Sequence, residues 1–126
     1  MNYSNRVDQK QTRRITKSLA QLATEAKHDL QIRTDKRSGA GNIKGDINSL
    51  FFKWELKDKE KPSKSMTVQK EWYDKCKQEC MLNVTRDQIP VVVFGFGDED
   101  DIFSMRWSEF ENFFREFLKW KVRQDV

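Results

Sequence analysis

The chain has 126 residues, 37% hydrophobic, 12% aromatic and 35% charged, which is enough apolar content for one packed domain with one core. Its net charge of +4 comes without any long apolar run, which excludes a membrane-spanning helix. The segment "MNYSNRVDQKQTRR" has no signal-peptide plan and suggests an intracellular protein, and two cysteines with one histidine are too few for a disulfide framework or a comfortable zinc site.

Residues 1–11 read as a flexible basic terminus, and 12–126 as a single domain. From Thr12 to Leu30 the apolar residues Ile15, Leu19, Leu22, Ala23, Ala26 and Leu30 recur at helical spacing. The first 45 residues hold ten Lys and Arg against four Asp and Glu, a basic end suited either to a polyanion or to a solvated helix face. "DKRSGAGN" is a loop rich in glycine and charge. "LFFKWELK" reads as a strand over 50–57 with Phe52, Trp54 and Leu56 on one face and Lys53, Glu55 and Lys57 on the other. After the polar turn "KDKEKPSKS", Val68, Trp72, Cys76 and Cys80 stand four apart, which predicts a helix over 66–81 with both cysteines as packing residues. "IPVVVFGFG" is a strand buried on both faces, "GDEDD" an acidic turn, and "IFSMRW" a strand paired with it. Ser108 and Glu111 have capping-box spacing and open a last helix. Its face of Phe110, Phe113, Phe114, Phe117 and Leu118 reads as core, with part left over for a subunit interface. The order of elements predicts a small α/β domain, a mixed central sheet flanked by helices.

The charges around the first strand raise a chemical question. Asp46 precedes Glu55 by nine positions, and Glu55 and Lys57 lie two apart on one strand face, roughly 7 Å along it. A hairpin or bend after Asp46 would bring two carboxylates together. They repel unless a hard divalent cation such as Mg²⁺ lies between them, and the Leu56 carbonyl would add a ligand. Lys57 would then support charge developing on a phosphate. Spacing alone equally describes a solvated strand edge with alternating charge.

"SGAGNIKGDINSLFFKWELK" resembles the core of the PD-(D/E)xK nuclease superfamily, and within it Holliday junction resolvases of the archaeal type and their phage relatives. A basic helix, the loop Ser38-Gly39-Ala40-Gly41, then Lys44-Gly45-Asp46, the strand ending Trp54-Glu55-Leu56-Lys57, the helix "SMTVQKEWYDKCKQEC" and the strand "IPVVVFGF" follow in the family's order, over roughly residues 12 to 106. The resemblance implies a restriction-endonuclease-like fold. It also implies an endodeoxyribonuclease that cleaves four-way junctions by metal-activated attack of water on a backbone phosphate, using Mg²⁺ or alternatively Mn²⁺. Asp46 and Glu55 would be metal ligands, with the Leu56 carbonyl, and Lys57 the catalytic lysine. Ser38 would lie near the scissile phosphate. Arg13, Arg14, Lys17, Arg33, Lys36, Arg37 and Lys44 would contact DNA. The family's first-helix glutamate has no counterpart near Ser18, where Lys17 and Leu19 are the neighbours. Glu25, two turns later on a similar face, either completes the site as catalytic and metal-binding residue or is a surface glutamate. Gln69 or Lys70 would reach the site or simply open the second helix. The implied partners are branched or duplex DNA and a second copy of the chain as a homodimer. The implied setting is the cytoplasm of a prokaryote or of a phage-infected cell. The alternatives are a repair or recombination nuclease acting on other DNA structures, and a non-catalytic DNA-binding member of the fold.

Overall fold

The computed structural model describes residues 3–34, 47–82 and 87–125, with side chains from Lys10 onward in the first helix. The elements run α1 (Tyr3–Ala26), β1 (Arg33–Thr34), β2 (Ile47–Asn48), β3 (Phe52–Lys57), α2 (Lys70–Leu82), β4 (Ile89–Phe94), β5 (Ile102–Ser104) and α3 (Trp107–Gln124). The strands form one mixed sheet in the order β1-β2-β3-β4-β5. Only β3 and β4 are parallel, with Glu55 beside Val92, and α2 is the crossover that parallel neighbours require. The other pairs are antiparallel, with Ile47 opposite Trp54 in β2–β3 and Val93 opposite Phe103 in β4–β5. This is the α/β domain with a mixed sheet and flanking helices that the order of elements predicts. No helix among the described residues is long and apolar enough to cross a membrane.

The first helix starts at Tyr3 rather than Thr12, so part of the segment expected to be loose is helical. Gln11 and Thr12 are buried, and Gln11 precedes Ile15 and Leu19 at spacings of four, so the buried stripe passes through a polar residue that hides it. The helix also stops earlier, at Ala26. Lys27 takes a positive φ of 53°. His28 N–H then donates to Ala23 O (3.1 Å) and Lys27 N–H to Thr24 O (3.2 Å), the paired bonds of a Schellman end formed without glycine.

Successive strand residues face opposite ways, and the two faces of the sheet are built differently. Trp54, Leu56, Ile47, Val91 and Val93 form the core with Leu19, and Ile15 packs beside them, so α1 covers this face. The indole of Trp54 donates to Ser49 Oγ at 2.8 Å, so its one polar atom is satisfied inside the core. The other face carries Lys53, Glu55, Lys57 and Val92 and lies under α2, whose buried Cys76 donates to Lys53 O at 3.4 Å. The β2–β3 connection is tight: Ser49 N–H donates to Phe52 O (3.1 Å), and Phe51 turns with φ 77°.

The final helix departs from expectation twice. Arg106 is its N-cap and makes no side-chain cap bond, so Ser108 and Glu111 form no capping box across that end. No residue of α3 is buried, so its aromatic stripe is not core. The helix meets the body through the Phe113 ring, 5.9 Å from that of Phe52, and through Glu109, 3.0 Å from Lys77 Nζ.

Candidate active site

A strand face of Lys53, Glu55 and Lys57 reads as a wet edge, yet α2 excludes water from most of it. Lys53 is 4% exposed and Glu55 1%. Burying a charge is costly unless it is paired and hydrogen-bonded. Lys53 Nζ lies 3.6 Å from Glu79 Oε2 on α2. Glu55 Oε1 lies 3.3 Å from Lys57 Nζ, and that ammonium also sits 5.3 Å from the centre of the Trp72 ring. Glu55 Oε2 is buried and has no hydrogen-bond donor among the described residues. Buried polar atoms left this way are rare, so this one requires an explanation.

The backbone around the pair is held from two sides. Lys57 O accepts from Gly95 N–H on the β4 side (2.8 Å) and from Gln11 Nε2 on α1 (2.8 Å). Carbonyls alternate along a strand. Phe52 O accepts from Ser49 N–H beside β2, so Leu56 O, four residues on, turns to that same edge, past the Ile47–Trp54 pair that ends the described part of β2. Asp46 lies outside the described residues, as do Ser38, Lys36, Arg37 and Lys44.

The structure brings Glu55 and Lys57 together and does not bring Glu25 to them. Glu25 is exposed and accepts a 3.4 Å bond from Gln21 Nε2 one turn back. It rides on the helix that covers the opposite face of the sheet. Gln11 of that helix marks the Lys57 end of β3, and Glu25 follows fourteen residues later, about 21 Å along the axis. The match of helical face that favoured Glu25 leaves this displacement out. Among the described residues no three His, Cys, Asp or Glu side chains gather at one point.

Arg14 also differs from its expected role. Its guanidinium donates to both oxygens of Asp101 (2.9 and 3.0 Å) and to Asp58 Oδ2 (3.2 Å). The hydrogen bond to Asp101 above all raises its pKa further, and these bonds hold Arg14 between two carboxylates of the fold. Gln11 Nε2 joins this knot through Asp101 Oδ1 at 3.2 Å, and Asp58 Oδ1 accepts from the Lys59 and Gly97 amides (2.8 and 3.0 Å). Sequence reasoning missed Gln11, Asp58 and Asp101. The available signal was a glutamine set on the apolar stripe of a helix. Arg13, Lys17 and Arg33 are exposed, as are Gln69 and Lys70 at the start of α2.

No protein-family model, curated protein or solved structure matches the chain.

The family resembled implies a divalent cation, and the donor set can be tested against one. Glu55 Oε2 is a hard, buried oxygen that receives no hydrogen bond among the described residues, and the Leu56 carbonyl turns to the β2 edge of the strand. Both suit an oxygen-seeking cation. The thiols suit it less. Cys76 and Cys80 are both free and lie one turn apart on α2. The hydrogen bond they share, followed by burial, raises the Cys76 thiol, and the same bond lowers that of Cys80. His28 is exposed, with Nδ1 3.1 Å from Asp29 O.

Proposed function

We propose that this protein is a divalent-cation-dependent endonuclease that hydrolyses backbone phosphates in branched DNA, the four-way junction first among them. One observation carries the reading: a buried glutamate with one oxygen on Lys57 and the other without a donor among the described residues. A carboxylate buried this way costs stability, and a cation ligand offers a reason for it.

Glu55, the Leu56 carbonyl and Asp46 would hold the cation; Asp46 is one peptide, about 3.8 Å between Cα atoms, from Ile47, which pairs with Trp54. Bound there, Mg²⁺ or Mn²⁺ supplies Lewis acidity toward a phosphate oxygen and acidifies a water. Lys57 does the rest of the electrostatic work. Its side chain is 33% exposed, and its ammonium neutralises charge that grows on the non-bridging oxygens in the transition state. One P–O bond forms to the water oxygen, and the bond to the leaving sugar oxygen breaks. Trp72 holds the ammonium on its other side. Arg13, Lys17 and Arg33 contact phosphates without reading sequence, which makes binding salt-sensitive. Ser38, Lys36, Arg37 and Lys44, outside the described residues, complete the proposed contact set. Cutting two opposed strands calls for two such sites in a symmetric dimer.

A second reading has its own observation. With Glu25 displaced, the described residues supply one acid to the site, which favours a DNA-binding protein that does not cut. Wild type, Asp46→Ala, Glu55→Gln and Lys57→Ala are incubated with junction, flap, nicked and linear DNAs, with Mg²⁺ or with chelator. The proposal expects chelator-sensitive cutting of the junction, lost in all three variants. Equal cutting by wild type and variants refutes it. Junction binding with no cutting and no calorimetric Mg²⁺ binding establishes the second reading.

A further inference from the structure

The chemistry proposed above leaves unused a cleft of about 720 Å³ where α3 meets the sheet. The turn before β3, the start of β4 and α3 form its walls, and its volume is that of a small-molecule site, about 300–1,000 Å³. Five aromatic rings line it. Phe52 and Phe113 stand with centroids 5.9 Å apart at the junction of strand and helix. Phe117 and Trp120, also 5.9 Å apart, continue the wall along α3 and are 42% and 50% exposed. Phe51 adds the fifth ring from the turn. It holds φ 77°, a left-handed backbone that a bulky side chain enters only under strain, and it remains 54% exposed. Burial within the chain therefore offsets little of that strain, and a glycine would hold the turn without it. An aromatic ring kept there needs another reason, and a ligand in the cleft supplies one.

Charge selects the class of ligand. Asp87, Glu109 and Glu116 line the cleft, and among the described residues no Lys or Arg does. Cations stand just outside it. Lys77 Nζ lies 3.0 Å from Glu109 and Lys119 Nζ 3.2 Å from Glu116, and Arg115 donates to Asn112 Oδ1 at 3.0 Å. Asp87 is exposed and has no ion-pair partner among the described residues. Two of the three carboxylates are thus balanced by neighbours and one is not, which suits a ligand with a single positive charge. Aromatic faces attract the same charge through their quadrupoles. A phosphate would meet three carboxylates and no cation of the lining, so the cleft does not continue a DNA-binding surface. We propose that the cleft binds a small organic monocation, an ammonium that carries an aromatic or alkyl group. Its charge lies toward Asp87, and its apolar part between Phe51, Phe117 and Trp120.

The test is isothermal titration calorimetry of the full chain without DNA or divalent cation, so its outcome is independent of the nuclease reading. Benzyltrimethylammonium is the probe, with benzyl alcohol and phenylacetate as neutral and anionic counterparts. The cation binds saturably at one site per chain, benzyl alcohol about tenfold more weakly, and phenylacetate not at all. Trp120→Ala and Asp87→Asn each weaken the cation by about fivefold, and Asp87→Asn leaves benzyl alcohol unchanged. Trp107→Ala, exposed on the same helix and outside the cleft, binds as wild type does. Phe51→Gly weakens binding while its urea midpoint does not fall, because glycine relieves the turn. Circular dichroism of every variant matches wild type. No saturable binding of the cation, equal affinity for cation and alcohol, or wild-type affinity in Trp120→Ala or Phe51→Gly overturns the proposal. A thymidine oligonucleotide that competes with the cation and loses its own binding in Trp120→Ala overturns it as well, in favour of a surface that stacks bases.

Discussion

Replacing Lys57 with Met, and then Glu55 and Lys57 together with Leu and Met, separates what the buried pair does for stability from what it does for chemistry. In the single variant the Glu55 carboxylate, 2% exposed, keeps its burial and loses its cation. Breaking one side of a buried pair costs about 3–5 kcal/mol. Lys57 is a third exposed, so water already screens the pair and the lower figure, about 3 kcal/mol, applies. With a urea slope of about 1.5 kcal/mol per molar, the midpoint falls by about 2 M. The double variant removes both charges and leaves apolar groups of similar size under α2. It should match wild type or exceed it by about 1–4 kcal/mol. Millimolar Mg²⁺ raises the midpoint of wild type and leaves that of the double variant unchanged, because only the former retains the carboxylate. Urea titration with and without the cation reads all of this. A double variant as unstable as the single one, or a single variant within about 0.5 kcal/mol of wild type, refutes the view that Glu55 is a charge kept at a cost.

Gly97→Ala strains a backbone at φ 78° and sets a Cβ 2.6 Å from Lys61 O, so a loss of about 1–3 kcal/mol is expected in the same titration. Asp74 is held below the ordinary carboxylate range, chiefly by the hydrogen bond from Arg106, so its contribution is present above about pH 4 and lost as pH falls through the lower folded value. The difference in urea midpoint between wild type and Asp74→Asn should shrink on acidification below about pH 4; a difference that grows would contradict the pairing. At neutral pH the thiol of Cys80, lowered by its bond from Cys76, should react first with a disulfide reagent, while Cys76 reacts only once urea unfolds the chain. Two thiols of equal rate in the native protein would contradict that order.

Much of the fold was legible where one physical rule dominates. "IPVVVF" could only be an inner strand, because a run with no polar side cannot face water, and β4 is buried at its four central residues. β1 and β2 were not legible: two residues each carry no period. For the site, alternation placed Glu55 and Lys57 on one face of β3, yet it is blind to what covers that face. Cys76 and Trp72 on α2 had to be set against the charges to show that they are buried. Helical phase put Glu25 on the face of Ser18 and was silent about which side of the sheet the helix covers and about distance along the axis. The aromatic stripe of α3 misled for a related reason: amphipathicity shows that a helix has an apolar side, and says nothing of which chain covers it.

The carbonyl of Lys57 is gripped by Gln11 from the helix and by Gly95 from the neighbouring strand. A residue clamped at its main chain sends its side chain out from a fixed point, toward Glu55 and Trp72. Cutting the tether, as Gln11→Ala would, therefore loosens the anchor of Lys57 while leaving the atoms of the Lys57–Glu55 pair in place.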